Sequence, residues 1–297
     1  MRQPGEKIRR VGLTANPDKA AARQLLRRAV AQIEREGKTV LADAATARLA
    51  DLAVESFPDV NSLARACDIL LVFGGDGTML GAARAVAGLS TPILGVNIGG
   101  LGFLTGVQRA GLADELPKLW AQDFSIEKRF LIQARGEIAG DPLFQIALND
   151  FVVSRGATSR LIELEVKVNG ETLTNYRCDG LIVSSSTGST AYSLAAGGAI
   201  VSPSAPVLTI TPICPHTLSN RSVIVGIDST VEVTVLSQKL EIFLTADGQV
   251  QLPLFAGGSV AVRQSPKSIR LVRLPDSSFF KTLRQKLNWS GSHVNSR

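Results

Sequence analysis

Gly74-Gly75-Asp76-Gly77-Thr78 sets one carboxylate among three glycines, directly after the apolar run Leu70-Leu71-Val72-Phe73. Glycine lets the backbone approach a ligand closely and adopts dihedrals that other residues avoid. Where a strand turns into a helix, such a loop aims N–H groups outward, and the helix N-terminus adds partial positive charge. That is a cradle for phosphate. An anion inside it repels phosphate, so Asp76 must serve chemistry, a metal or a hydroxyl. A lone Gly-Asp-Gly would read as a tight turn with a helix cap. The length of the glycine run and its place after a buried-type strand favour a ligand. No Gly-x-x-x-x-Gly-Lys-Ser/Thr occurs here, so no lysine is built in for the phosphates.

Two further groupings carry chemistry. Ser184-Ser185-Ser186-Thr187-Gly188-Ser189-Thr190-Ala191-Tyr192 brings hydroxyls, flexible backbone and then an aromatic ring, between the strand-like Leu181–Val183 and the small, apolar 194–201. Hydroxyls and amides suit phosphate or ribose, and Tyr192 suits stacking on a purine. In Ala147-Leu148-Asn149-Asp150-Phe151-Val152-Val153 a polar pair interrupts an apolar strand. Buried polar groups need partners. Asn supplies donor and acceptor, and Asp accepts from ribose hydroxyls or an amide. A bulge or turn satisfied by backbone is the equal alternative for that pair.

These residues need elements to hold them. Ile8–Thr14 reads as a strand, with Asn16 or Asp18 capping a helix that places Ala22, Leu25, Leu26, Ala29, Val30 and Ile33 on one face before Gly37 stops it. Thr39–Leu41, Asp68–Phe73 and Pro92–Val96 are further strands. Ser62–Cys67 and Met79–Ala87 are helical, and a second glycine loop, Asn97–Phe103, follows the last strand. Strands alternating with helices imply an open parallel-type α/β sheet, whose ligands lie beyond the carboxyl ends of its strands. Near Phe124 the pattern changes to short β runs, among them Phe130–Ala134, Phe144–Leu148, Leu161–Val168, Val207–Ile210, Ser222–Val225, Val231–Leu236, Glu241–Thr245 and Ser259–Val262, with Asn169-Gly170 as a hairpin turn. Ser277–Leu287 reads as a last helix. The expected organisation is an α/β domain at 1–124, an all-β-rich domain at 125–270, and a terminal segment at 271–297 that packs back on the first.

Composition narrows the classes. The chain has 297 residues, 45% hydrophobic, enough for substantial cores and unlike a disordered composition. No run approaches the roughly 20 apolar residues of a membrane span, and polar Met1–Arg10 offers no secretory signal. Cys67, Cys178 and Cys214 are odd in number and unpaired in spacing, which argues for a cytoplasmic, reducing compartment and against disulfides or zinc. Residues 1–38 hold ten Lys/Arg against four Asp/Glu, and residues 263–297 hold eight against one. With aromatics at 5%, this reads as solvated faces and tails, not as a specific nucleic-acid surface.

Gly74–Thr78, Asn149-Asp150, Asp179–Tyr192, the segment 211–218 and Asp247-Gly248-Gln249 together resemble the bacterial-type NAD kinases in order and spacing, over most of the chain. The glycine motif alone is shared with diacylglycerol-type lipid kinases. The resemblance implies an N-terminal α/β domain, a C-terminal β-rich domain, and a homodimer or homotetramer. It also implies transfer of a phosphoryl group from ATP, another nucleotide or polyphosphate to the 2′-hydroxyl of the adenosine ribose of NAD, with a divalent cation, Mg2+, accompanying the donor. Asp76 would be the base. Gly74, Gly75, Gly77 and Thr78 would cradle the donor phosphates, and Asn149 and Asp150 would hold the dinucleotide. Arg177 and Asp179 would line the same pocket beside a neighbouring subunit. Thr190, Ala191, Tyr192 and Ser193 would surround an adenine and its ribose, and Thr187, Gly188, Ser189, Arg160 and Gln249 would complete the binding set. No residue is assigned to the metal. Ser185-Ser186 stands where the family has Thr-Pro, so a less rigid loop is expected. The rival readings are a lipid kinase sharing the glycine motif, and a non-catalytic NAD(P) sensor.

Overall fold

The computed structural model describes residues 8–17, 21–138, 140–157, 159–217, 220–275 and 277–289. They divide into two compact units, one drawn from 1–128 and 269–297, the other spanning 129–268.

The first unit is α/β. Its strands are β1 (Arg10–Ala15), β2 (Thr39–Asp43), β3 (Glu55–Phe57), β4 (Ile69–Gly74), β5 (Ile93–Asn97) and β6 (Val107–Gln108). Its helices so far are α1 (Ala22–Arg35), α2 (Ala44–Ala50), α3 (Val60–Ala66), α4 (Asp76–Ala85) and α5 (Leu112–Trp120). The order β3-β2-β1-β4-β5 is parallel throughout, and β6 also runs parallel to β5. Every residue of β4 is buried, as a central parallel strand requires. Helix α1 buries Ala22, Leu25, Leu26, Ala29 and Ile33 against that sheet, and Gly37, at φ +68°, ends it. Its cap differs from expectation. Ala21 precedes the helix with no side-chain bond, and Asp18 lies outside the described residues. Asp43 and Asp59 cap α2 and α3 instead, accepting the N–H of Thr46 and of Ser62.

The second unit is antiparallel β. Its strands are β7 (Ser125–Ile138, which begins in the first unit), β8 (Asp141–Ala147), β9 (Asp150–Arg155), β10 (Ile162–Val168), β11 (Glu171–Cys178), β12 (Gly180–Ser185), β13 (Val207–Ile213), β14 (Val223–Gly226), β15 (Val231–Val235), β16 (Ile242–Ala246), β17 (Val250–Leu254) and β18 (Ser259–Arg273). A short helix, α6 (Tyr192–Ala195), interrupts them. One sheet runs β14-β13-β12-β9-β16-β17, and β11, β10, β15 and the first residues of β18 make another run. Leu164 and Val166 of β10 and Val233 of β15 share a core with Val153, Leu181, Leu208 and Leu244 of the six-stranded sheet, while Glu163, Glu165 and Lys167 face outward. Asn169-Gly170 closes the β10–β11 hairpin with both residues at positive φ. The chain then returns to the first unit: Leu271 of β18 pairs in parallel with Ile93, and α7 (Phe279–Lys286) follows.

Candidate active site

Helix α4 starts earlier than its apolar pattern indicates. Gly75, extended at φ −113° and ψ −166°, is its N-cap, and Asp76 is its first residue. A carboxylate in a first turn meets the positive end of the helix dipole, which resolves part of the conflict between Asp76 and a phosphate loop. The rest is resolved by its partners. Oδ2 accepts the N–H of Phe103 at 2.9 Å and Oδ1 that of Leu104 at 3.1 Å. Asp76 thus ties the first glycine loop to the second, a partnership that spacing gave no sign of.

The glycines now have separate reasons. A Cβ on Gly102 would collide with the Asp76 carboxylate, so the second loop approaches the aspartate only because residue 102 lacks one. A Cβ on Gly74 would collide with Thr78, so Gly74 makes room for the first turn of α4. Gly75 faces open space, Gly77 is exposed, and Thr78 is half-buried. Backbone around Gly75–Gly77 is therefore what a donor phosphate would meet. Asn97 fixes the start of the second loop, its side chain accepting from the N–H of Gly99 and donating to the carbonyl of Gly100.

In the second unit, Asn149-Asp150 is not embedded in a strand. Strand β8 ends at Ala147, β9 begins at Asp150, and Leu148-Asn149 is the bend between them. The bend is held by Asp247, buried at the tip of the β16–β17 hairpin with φ 52°. Its carboxylate takes the N–H of Leu148 at 3.1 Å, of Asn149 at 2.7 Å and of Asp150 at 3.4 Å. The carbonyl of Asn149 receives the N–H of Ser185 at 2.8 Å and the hydroxyl of Ser184 at 3.1 Å. The backbone of Asn149 is thereby fully engaged. Among the described residues, no hydrogen bond reaches the side chain of Asn149 or of Asp150, although they are 8% and 4% exposed. Burial, then the charge of Asp247, pushes the Asp150 carboxyl up to about 7.

The hydroxyl run behaves differently from expectation. Ser184, Ser185, Ser186, Ser189 and Ser193 are fully buried. Ser185 donates to the Leu148 carbonyl at 2.6 Å, Ser186 to Pro203, and Ser189 to the carbonyls of Ser186 and Val201. Ser193 bonds Thr211 Oγ1. These hydroxyls are taken up by hydrogen bonds within the fold. Ser185, at the end of β12, and Ser186, just after it, both have their hydroxyls bonded to carbonyls remote in sequence. Gly188 abuts the Asn149 carbonyl so closely that a Cβ would collide with it. Thr187 Oγ1 receives Nη1 of the buried Arg129 at 3.0 Å. Thr190 and Ala191 are half-buried, and Tyr192 is 47% exposed. What this segment offers a ligand is backbone, Thr190 and the Tyr192 ring.

The other proposed residues are spread out. Asp179 is paired with Arg155, Nε to Oδ1 at 2.6 Å. Arg177 is exposed on β11 near Glu163, and Arg160 is exposed in the bend before β10. Gln249 is an exposed hairpin residue. Sequence reasoning passed over Asp247, Arg129 and Arg155. Only Asp247 left a signal, as an acidic residue in an Asp-Gly turn beside Gln249.

An α/β unit whose glycine loop holds a carboxylate at a helix N-terminus, in a chain with a β unit presenting amide and carboxyl groups that have no partner among the described residues, defines a phosphotransferase acting on a nucleotide. The family model of the ATP-NAD kinase N-terminal domain matches residues 11–124, and that of the C-terminal domain matches residues 148–274. The chain belongs to the ATP-NAD kinase family. An NAD kinase of Heliobacterium modesticaldum is 41% identical over 280 residues, covering 93% of this chain and 98% of its own. Two solved structures share the fold at 24% identity. A yeast NADH kinase complexed with NADH has a TM-score of 0.88 over 99% of this chain and 91% of its own. An Archaeoglobus fulgidus NAD kinase in complex with ATP has a TM-score of 0.74 over 95% and 100%.

Proposed function

We propose that this chain, an NAD-phosphorylating enzyme by its family, moves the terminal phosphoryl group of ATP to the 2′-hydroxyl of the adenosine ribose of NAD, giving NADP. The observation that carries the reading is the pair Asn149 and Asp150. Their backbone is tied down by Asp247, Ser184 and Ser185, while their near-buried side chains keep free hydrogen-bonding capacity. Buried polar groups left without protein partners fit a polar ligand. The hydroxyls and carboxamide of a dinucleotide supply the donors that Asp150 lacks.

Phosphoryl transfer is mainly positioning and charge stabilisation. Backbone N–H groups around Gly75–Gly77 and the N-terminus of α4 would hold donor phosphates. Asp76, oriented by Phe103 and Leu104, retains lone pairs to accept the proton of the attacking hydroxyl. The aromatic face of Tyr192 is free to stack on adenine. A divalent cation, which we assign as Mg2+, would neutralise charge on the transferring group. Among the described residues no group of three or more His, Cys, Asp or Glu could hold a metal ion, so phosphate oxygens and water would be its main ligands.

We also infer a cytoplasmic homodimer or homotetramer. Cys67, Cys178 and Cys214 are all unpaired, which suits a reducing compartment. No helix among the described residues is long and apolar enough to cross a membrane. A lipid-kinase reading finds no use for the Asn149-Asp150 arrangement. The test is formation of NADP from NAD, or of NADPH from NADH, with ATP, other nucleotides and polyphosphate. NADP produced with at least one donor is the expected result. Tight NAD binding without product from any donor would instead establish a sensor.

A further inference from the structure

The loop that aims Asp76 is itself gripped from outside. Phe103, whose N–H bonds the Asp76 carboxylate, has its ring 6.2 Å from the ring of Phe279, tilted by 40°. The Lys286 ammonium lies 5.1 Å from the same ring's centroid. Phe279, Leu283 and Lys286 follow one another at four and three residues along α7, so they share one helix face. Leu283, on the same face, is buried. Phe279 is braced in turn by the edge of Phe280 at 5.3 Å. The grip acts where tolerance is smallest, because Gly102 touches the Asp76 carboxylate and leaves no space for even a methyl group. A shift of the 102–104 backbone away from Asp76 lengthens and weakens the two N–H bonds, and a shift toward it drives Gly102 into the carboxylate.

We infer that α7 is a clasp on this loop, and that Phe279 and Lys286 are positioning residues that act on Asp76 through Phe103. This rests on the role proposed above for Asp76. Helix α7 touches no reacting group. It fixes the two donors that orient the base, and so acts on the chemical step more than on the affinity for either substrate.

The experiment uses the full chain carrying Phe279→Ala, Phe279→Leu, Lys286→Ala or Lys286→Arg. Steady-state NADP formation with NAD and ATP–Mg2+ is measured, and hydrogen exchange is followed at the amides of Phe103 and Leu104 without substrate. Phe279→Ala is expected to lower kcat by about tenfold, equal to about 1.4 kcal/mol of transition-state free energy, with KM for both substrates changed less than about twofold. Exchange at the two amides should rise in parallel. Leucine should restore part of both effects. Lys286→Ala, at an exposed position that does not threaten folding, should do the same more weakly, and arginine should restore it. Unchanged exchange at Phe103 and Leu104, or an unchanged kcat in Phe279→Ala beside a lowered Tm, would overturn the clasp. If the wild-type chain forms no NADP, the functional reading fails, and the exchange data alone still decide whether α7 holds the loop.

Discussion

Burial raises the Asp150 carboxyl to about 7, and replacing it by asparagine exposes the cost of that buried carboxyl. The residue is 4% exposed, its side chain has no hydrogen bond among the described residues, and its carboxyl is raised to about 7 from a usual 3.8, chiefly by burial and then by Asp247. The sign follows from proton counting. Between the unfolded and folded values the native state keeps a proton that the unfolded chain has lost, so stability falls as pH rises through that window, and the full penalty stands above about pH 7. Three pKa units correspond to an upper bound of about 4 kcal/mol. Burying the asparagine amide offsets part of this, by about 1–3 kcal/mol. Asp150→Asn is therefore expected to raise stability at pH 8 by about 1–3 kcal/mol, with the advantage gone by pH 4. Urea unfolding at pH 4, 6 and 8 measures it. An advantage independent of pH, or a loss at pH 8, would refute the assignment.

The same reasoning predicts the linkage to substrate. A ribose hydroxyl or carboxamide donating to Asp150 favours the ionised carboxylate. NAD binding near pH 6.5 should therefore release a proton, visible as a dependence of calorimetric binding heat on buffer ionisation enthalpy. Proton uptake would mean that Asp150 donates its hydrogen to the ligand, contrary to the proposal.

Asp76→Asn should cut kcat at least about 100-fold by removing the base. It should also lower Tm, because an amide has only one oxygen for the two N–H donors and turns its NH2 toward the other; near-normal kcat would remove Asp76 from the base role. Gly102→Ala places a methyl group on the Asp76 carboxylate and should lower kcat by about 10–100-fold, using the measure of about 1.4 kcal/mol per factor of ten. A mild Gly102→Ala phenotype in the same assay would show that the loop has room to move. Asp247→Asn keeps the left-handed backbone tolerance at φ 52° but weakens the grip on Leu148 and Asn149. It should raise KM for NAD by about tenfold or more, on the scale of one charge-assisted hydrogen bond, while leaving KM for ATP nearly unchanged.

The legible part of this protein was what periodicity and turn chemistry write locally. The apolar face of α1, the buried run of β4, the alternation in β10 and the Asn169-Gly170 turn all stand as their spacing indicates. The sequence was silent where a side chain's partner lies far away in the chain. The serines of 184–193 looked like ligand contacts because hydroxyls are alike on paper. In the fold the hydroxyls of Ser185 and Ser189 bond the carbonyls of Leu148 and Val201, which only the folded sheet brings near. Asp76 and Asp247 show the reverse case. Asp76 reads as a residue for substrate and Asp247 is given no role, yet each gathers backbone N–H groups from a distant loop, 27 to 28 residues away for Asp76 and 97 to 99 for Asp247. In both units a carboxylate therefore fixes a loop: in the first it is the proposed catalytic group itself, in the second it leaves its neighbour Asp150 unpartnered. A carboxylate left without protein partners beside one saturated with them is a physical reason to expect substrate at Asp150, independent of the order of the motifs.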